Sequence, residues 1–256
     1  MFPKASVAYQ ARCKCCGNLA PLYDVCDFSK NCEEQNGLVL PLSGIAIFYY
    51  KCSGCNFIFT TQFDNSSQKE LKQYVYNEEY IKVDPDYSII RPDATANLVN
   101  ITFGEFKENL RILDYGGGNG RVERNLKAIG FKMVDTYDPF SEPFDQRPSL
   151  QYDLVLCFEV MEHVSDVVGT FKDMRDFLSK DSIIMFSTMV QPDNIDSIKS
   201  KWLYISPRNG HISIYSTRSL QIVLNGLGLN YGMASQNLHF AYAKIPSFAK
   251  HIFRRT

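Results

Sequence analysis

The sequence has no long apolar run, almost no net charge, no internal repeat and a single tryptophan. Because no apolar segment reaches the length of a membrane span, a membrane-spanning protein is not predicted. Lysine and arginine number 27 against 28 aspartates and glutamates. This balance argues against a nucleic-acid-binding protein, which is usually basic overall. Residues 1–10 lack the apolar segment of a secretory signal, so a cytoplasmic location is expected.

The eight cysteines are spaced as a metal site rather than as a disulfide framework. Cys13 and Cys16 form one Cys-x-x-Cys pair, and Cys52 and Cys55 form another. Each pair presents two thiolates from a tight turn, and two such turns supply the four ligands of a structural, tetrahedral Zn²⁺. Substitution of one ligand by another cysteine stays open. The cysteines that could substitute are Cys15, Cys26 and Cys32.

The segment Arg-Ile-Leu-Asp-Tyr-Gly-Gly-Gly-Asn-Gly, residues 111–120, is the most informative in the chain. It predicts a buried strand over 111–115, a glycine-rich turn and a helix over 121–129. Glycines are needed where a ligand approaches the backbone closely, because a Cβ would block it. The free amides at a helix start favour an anionic group. This arrangement is typical of nucleotide-like cofactor sites in doubly wound α/β sheets.

An acidic residue ends the next predicted strand, where Asp138 is followed by Pro139. The doubly wound fold places a carboxylate for ribose hydroxyls at about this point. Asp135 competes for the role, but it lies deeper in the strand, and the Asp-Pro pair marks the strand's end.

Strands and helices continue to alternate along the rest of the chain. The strand predicted over 152–157 is apolar apart from Asp153, as expected for a sheet covered on both faces. Helical spacing or capping signals indicate further helices. The remaining predicted strands cover 182–188 and 238–243, and the predicted helices cover 89–106, 166–178 and 216–225.

Phe158-Glu159-Val-Met-Glu162-His163-Val164 follows the apolar strand. Together with the glycine segment, it resembles class I S-adenosylmethionine-dependent methyltransferases over roughly residues 109–242. The resemblance implies a Rossmann-like α/β fold with a doubly wound, mostly parallel sheet of seven strands. It also implies S-adenosylmethionine as the cofactor.

The resemblance assigns roles to individual residues. It implies that Asp114 and the glycines line the methionine moiety, that Asp138 holds the ribose, and that Phe158 and Glu159 lie beside the cofactor. Only residues 139–152 separate Asp138 from Asp153, so the third strand and its helix are expected to be abbreviated or missing. Asp145 is then the nearest candidate for the adenine amine. The full cofactor-binding set is Asp114, Tyr115, Gly116, Gly117, Gly118, Asn119, Asp138, Pro139, Phe158 and Glu159.

Three segments are predicted: a zinc-ribbon-like module over 1–63, a helical connector over 64–108 and a methyltransferase domain over 109–256. This order, with tyrosines in the connector, resembles the zinc-bearing methyltransferases of sugar and surface-polysaccharide pathways. The sugar C-methyltransferases among them carry a further large C-terminal domain, for which this chain ends too early. O-methylation or N-methylation of a small polar metabolite, such as a sugar, nucleotide-sugar or glycan precursor, is therefore favoured.

Two histidines are candidate general bases, because imidazole transfers protons near neutral pH. His211 follows the fifth predicted strand and its loop, and His163 follows the fourth. A loop-fixing role for His211 and a turn-capping role for His163 stay open. Aromatic and polar side chains near His211 suit a carbohydrate acceptor. The candidate substrate-binding residues are Tyr80, Arg91, Trp202, Tyr204 and Arg208.

Two other functions are compatible with the pattern. One is an RNA or protein methyltransferase that recognises its substrate through the zinc module, although charges in residues 1–63 are balanced. The other is a non-catalytic binding protein, which would be expected to lose its glycines or strand-end acid.

Overall fold

A computed structural model describes residues 8–253, which form two compact units. The described part of the first unit comprises residues 8–85, 161–168 and 189–223. The second comprises residues 86–160, 169–188 and 224–253. Each unit has its own sheet and its own hydrophobic core.

The strands and helices are as follows. The strands are β1 (Gln10–Arg12), β2 (Leu19–Asp27), β3 (Ala46–Lys51), β4 (Ile58–Phe59), β5 (Arg111–Tyr115), β6 (Met133–Tyr137), β7 (Tyr152–Cys157), β8 (Leu178–Ser187), β9 (Ser213–Ile214), β10 (Asn230–Met233) and β11 (Leu238–Tyr242). The α-helices are α1 (Gln68–Tyr74), α2 (Tyr80–Val83), α3 (Ile90–Phe103), α4 (Arg121–Ile129), α5 (Val167–Asp176), α6 (Ile195–Ile198) and α7 (Thr217–Gly226).

The first unit is built on an antiparallel sheet with strand order β1-β2-β3-β4-β9. The two Cys-x-x-Cys turns follow β1 and β3. Strand β9 comes from a distant part of the chain, and its Ile214 pairs with Ile58 of β4. Both residues lie in the core of this unit, which also includes Tyr49, Trp202 and Tyr204.

The second unit is built on a six-stranded mixed sheet with strand order β10-β11-β8-β7-β5-β6. Strands β6, β5, β7 and β8 are parallel, and β11 runs antiparallel to both β8 and β10. Leu113, Leu154 and Val155 have no exposed surface. Strands buried on both faces are expected to be continuously apolar, as residues 154–157 of β7 are.

The prediction of seven strands is wrong, because the sheet has six among the described residues. The chain between β6 and β7 turns back at once: the Asp138 amide donates to the Phe144 carbonyl and the Phe144 amide to that of Ser141, both at 2.8 Å. An additional parallel strand between β6 and β7 would need a crossover connection on each side, and each connection takes a dozen or more residues, usually with a helix. The expectation that the third strand would be abbreviated or missing is therefore confirmed.

Element boundaries differ from the predictions in a few places. The predicted helix over 166–178 ends at Asp176, and β8 begins at Leu178, before the predicted strand at 182. The predicted helix over 89–106 ends as a short 3₁₀ turn, Gly104–Phe106. Strand β10 was not predicted. No helix in the described part of the chain is long and apolar enough to cross a membrane.

Candidate functional site

The glycine loop between β5 and α4 has a backbone that other residues would strain. Gly116, Gly118 and Gly120 have φ values of +74°, +55° and +70°, in the left-handed region that glycine adopts readily. Gly117 has no such φ, but a Cβ there would overlap Asp114 Oδ2. The loop therefore needs glycine at successive positions for two reasons, backbone conformation and space above Asp114.

Asp114 lies at the end of β5 under this loop, with 3% of its surface exposed. Its Oδ2 is buried without a hydrogen-bond partner in the described structure. Burial, aided by the charges of Asp138 and Glu123, raises the pKa of Asp114 to about 7. An unsatisfied buried carboxylate oxygen is costly. A cationic ligand beside it would remove that cost, and the sulfonium and ammonium groups of S-adenosylmethionine fit this requirement.

Asp138 joins the end of β6 to the glycine loop. Its Oδ2 accepts a 2.9 Å hydrogen bond from the Gly118 amide, and its Oδ1 accepts one of 2.8 Å from the Phe140 amide. Asp135, the competing carboxylate, instead accepts from the Tyr152 hydroxyl at 2.9 Å. Of the two aspartates, Asp138 is thus the one that contacts the loop.

Glu159, two residues beyond β7, is a non-glycine residue with a φ of +56°. Its amide donates to Ser187 Oγ at 2.7 Å, and the same hydroxyl donates to Glu159 Oε1 at 2.8 Å. Arg91 Nη1 lies 3.1 Å from Glu159 Oε2. Strained backbone of this kind persists only where its surroundings hold it, and it is often found at functional sites. Ser187 was not singled out from the sequence, because a serine at a strand end has no distinctive pattern.

The other predicted cofactor residues have the following positions. The Tyr115 hydroxyl donates to Asp173 at 2.9 Å, and Asn119 Oδ1 accepts from the Arg121 amide at 3.1 Å. Pro139 starts the turn after β6, and Phe158 packs against the core of the second unit. Asp145 is exposed in the turn between β6 and β7.

The two Cys-x-x-Cys pairs meet in the first unit. The sulfurs of Cys13, Cys16, Cys52 and Cys55 all lie within 4.8 Å of one another. The Cys13–Cys55 and Cys16–Cys52 pairs are 3.5 and 3.4 Å apart. Thiolates that bind one tetrahedral zinc at about 2.3 Å are separated by only slightly more than this. The four residues therefore fit a closed zinc site.

The remaining cysteines are not part of this cluster of four thiols. Cys15 is buried but is not one of the four clustered thiols. Cys32 Sγ lies 3.9 Å from His211 Nδ1. Cys157 is buried in β7, as expected for a cysteine in an apolar strand.

A second polar cluster in the first unit contains Glu162, His163, Tyr204 and His211, here called the histidine cluster. The ring centroids of the two histidines are 5.1 Å apart. His211 Nδ1 lies 2.9 Å from the Tyr204 carbonyl oxygen, and the Tyr204 hydroxyl donates to Glu162 Oε1 at 2.7 Å. Glu162 has no exposed surface. The sequence motif contains Glu162, but only the structure shows that it is buried beside both histidines.

The predicted substrate residues have different surroundings. Arg208 is buried, and its guanidinium donates to the Val75 carbonyl at 2.6 Å and to Asn77 Oδ1 at 3.0 Å. Burial lowers the pKa of Arg208.

Tyr80 is buried and donates to Asp84. Trp202 packs against Tyr204 in the core of the first unit, with ring centroids 5.5 Å apart and ring planes tilted by 47°. Their described contacts are thus within the protein.

The methyltransferase-domain family matches residues 87–232, more than half of the chain. A comparison with curated proteins finds no match.

Several solved structures are similar to part of the chain. They include magnesium protoporphyrin IX methyltransferase from Synechocystis PCC 6803 with bound SAH, an O-methyltransferase family protein from Burkholderia thailandensis, and CalO1, a methyltransferase in calicheamicin biosynthesis. The identities are 12%, 13% and 14%, and the TM-scores are 0.46, 0.46 and 0.45. The matches cover 70%, 65% and 65% of this chain, and 94%, 63% and 60% of those chains. The chain thus spans less than two thirds of the length of the last two.

The doubly wound sheet, the glycine loop and the carboxylates at the ends of β5 and β6 define a Rossmann-like cofactor-binding protein. The family match specifies the class further. The chain belongs to the methyltransferase-domain family.

Proposed function

We propose that the protein transfers the methyl group of S-adenosylmethionine to an oxygen, or a nitrogen, of a small polar acceptor. The acceptor class that we propose is a sugar, a nucleotide-sugar or a precursor of a surface polysaccharide. The cofactor supplies an activated methyl group on a sulfonium. The side chains of the protein must bind the cofactor, orient the acceptor and remove a proton when the acceptor is a hydroxyl.

The observation that supports cofactor binding most directly is the buried Oδ2 of Asp114, which lacks a hydrogen-bond partner. We propose that Asp114 binds the cationic end of the cofactor in its ionised form. Gly116, Gly117 and Gly118 leave the backbone accessible at the same point. A side chain at Gly117 would fill the space over this carboxylate.

We propose that Asp138 binds the ribose hydroxyls. Each of its oxygens accepts one backbone hydrogen bond, and a carboxylate oxygen has lone pairs for a second donor. We further propose that Glu159 and Arg91 border the cofactor. Their 3.1 Å ion pair and the left-handed backbone of Glu159 hold the carboxylate in one orientation.

We propose that the acceptor proton is removed at the histidine cluster, with His211 as the base and His163 as the alternative. A carbonyl oxygen only accepts hydrogen bonds, so the 2.9 Å contact with Tyr204 places the hydrogen of neutral His211 on Nδ1. Nε2 is then the basic nitrogen. His163 Nδ1 lies 3.1 Å from the Gly210 carbonyl and 3.2 Å from the Tyr76 hydroxyl. The tautomer of His163 is less constrained, because a hydroxyl both donates and accepts.

The four clustered cysteines are proposed to hold a structural Zn²⁺. Four thiolates complete a tetrahedral site and leave no position for a substrate. The metal would stabilise the two Cys-x-x-Cys turns of the first unit.

The decisive experiment is incubation of the purified protein with methyl-labelled S-adenosylmethionine and separate acceptor panels. The panels contain nucleotide-sugars, glycan fragments, phosphorylated metabolites, RNA and protein. We expect label in a member of the sugar panels and expect the Asp138→Ala variant to abolish it. Label found only in RNA or protein would contradict the proposed acceptor class, and tight cofactor binding with no transfer to any panel would favour a non-catalytic protein.

A further inference from the structure

Glu162, His163 and His211 bring one carboxylate and two imidazoles together in the first unit. One ligand atom from each side chain lies within 4.8 Å of the other two. Glu162 has 0% and His211 7% of their surface exposed. Ligand atoms of a single ion bound at about 2.1 Å are roughly 3 to 3.5 Å apart. A small contraction of the cluster would therefore suffice for all three to reach one ion.

In both imidazoles Nδ1 lies beside a backbone carbonyl oxygen. His211 Nδ1 lies 2.9 Å from the Tyr204 carbonyl, and His163 Nδ1 lies 3.1 Å from the Gly210 carbonyl. Histidines that bind metals usually donate their second ring N–H to a carbonyl or carboxylate, which fixes the ring and its tautomer. Nε2 of His211 is then the nitrogen that would coordinate, and His163 would use the same nitrogen when its Nδ1 donates to the Gly210 carbonyl.

The carboxylate is held in the same manner. Glu162 Oε1 accepts a 2.7 Å hydrogen bond from the Tyr204 hydroxyl, and the Tyr204 oxygen accepts one of 3.1 Å from the Met189 amide. The Glu162 carbonyl also accepts from the Ile212 amide at 2.9 Å. A fully buried carboxylate is stable only beside positive charge or several donors. A divalent cation between Glu162 and the two histidines would supply positive charge beside this carboxylate.

We propose that Glu162, His163 and His211 bind a divalent transition-metal ion, separate from the zinc assigned to the four cysteines. Two imidazoles and one carboxylate suit ions such as Fe²⁺, Co²⁺ and Zn²⁺. Three protein ligands leave coordination positions open, in contrast to a closed four-thiolate site.

The role of the ion, but not its binding, rests on the proposed function. An acceptor hydroxyl bound at an open position would have a lower pKa, as metal-bound water does. The O–H bond would break with its electron pair left on the metal-bound oxygen, and the proton would pass to solvent. His211 would then be a ligand, not the base.

The site is tested by calorimetric titration of the zinc-replete full chain with Co²⁺, combined with visible absorption. We expect one saturable Co²⁺ per chain with bands typical of nitrogen and oxygen ligands and without thiolate charge transfer. The Glu162→Gln and His211→Gln variants should each weaken binding at least about tenfold, equivalent to about 1.4 kcal/mol. Gln at 162 keeps the size of the side chain and an acceptor for Tyr204. His251→Gln, which removes an exposed histidine of the second unit, is the control and should bind as the unchanged protein does.

Zinc content and thermal unfolding show whether each variant is folded. Absence of saturable Co²⁺ binding in the unchanged protein would overturn the site, as would unchanged binding in both folded cluster variants. Binding of Co²⁺ without methyl transfer to any acceptor would contradict the proposed function and leave the metal site standing. Methyl transfer that survives removal of this ion by a chelator would overturn its role in catalysis and restore His211 as the base.

Discussion

A Cβ atom built on Gly117 would overlap Asp114 Oδ2, the carboxylate oxygen that has no hydrogen-bond partner in the described structure. The two residues therefore constrain each other: the glycine keeps open the space above an acid whose burial is otherwise unfavourable. The glycine loop lies over the Asp114 carboxylate, and the burial of this carboxylate raises its pKa.

Gly117→Ala is expected to destabilise the protein and prevent cofactor binding. The added methyl would also overlap Thr136 Cγ2, and such overpacking costs about 1–3 kcal/mol. The free energy of unfolding in denaturant and the affinity for S-adenosylhomocysteine measure the two effects. Gly226→Ala is the matched control, because no atom lies within 4 Å of a Cβ there. Equal behaviour of the two variants would show that the space over Asp114 is not needed.

Asp114 is expected to make stability fall as pH rises. Its pKa is raised to about 7 from the ordinary value of 3.8, so between these values the folded state holds a proton that the unfolded state has lost. Stability then decreases with pH across this window, by at most about 4 kcal/mol at 1.36 kcal/mol per pH unit. Unfolding free energies from pH 4 to 8 should show this slope, and Asp114→Asn should reduce it. An unchanged slope in Asp114→Asn would assign it to other groups.

Cofactor binding should reverse this effect, because a cationic ligand favours the ionised form of Asp114. Affinity for S-adenosylhomocysteine is expected to increase as pH rises toward 7, with release of a proton on binding. Calorimetry in buffers of different ionisation enthalpy measures that proton directly. Binding without proton release at pH 6 would argue against contact between Asp114 and the ligand ammonium group.

Asp138→Ala is expected to abolish measurable cofactor affinity and to leave the fold intact. The variant loses the proposed ribose contact and the acceptor of the Gly118 amide. Asp135→Asn is the control, because Asp135 contacts Tyr152 and not the loop. Tight binding by Asp138→Ala, with circular dichroism like that of the unchanged protein, would count against the assigned ribose contact.

Cys52→Ser is expected to lose zinc and solubility more than intrinsic turnover, because the metal would be structural. Zinc content by mass spectrometry and the yield of soluble protein measure the loss. Cys26→Ser should keep its zinc, since Cys26 is not among the clustered thiols. Full metal content in Cys52→Ser would remove Cys52 from the ligand set, and zinc loss in Cys26→Ser would add Cys26 to it.

The part of the cofactor site that depends on local structure was predictable. Strand β5 and helix α4 begin and end at the predicted residues. Two features of the sequence allow this: the apolar residues Ile112 and Leu113 indicate a buried strand, and glycines mark the turn where the backbone must adopt left-handed conformations. The end of β6 followed from the Asp138-Pro139 pair, and the missing third strand followed from the few residues between Asp138 and Asp153.

The histidine cluster was only partly predictable. His163 and His211 were selected because imidazole transfers protons near neutral pH. Nothing in their separation along the sequence indicated that they are neighbours in the fold. Their meeting depends on the pairing of β9 with β4 and on the Ile212–Glu162 hydrogen bond. Arg208 was predicted to bind substrate, yet its described hydrogen bonds hold residues 75 and 77.

By itself, the sequence determined the fold class, the glycine loop and the two pairs of cysteines, because each depends on neighbouring residues and on backbone conformation. Only the tertiary structure decided that four thiols converge, that Asp114 Oδ2 is left without a partner and that Glu162 is buried beside two histidines. Burial and electrostatic environment are produced by segments far apart in the chain, and long-range packing of this kind leaves no periodic pattern in the sequence.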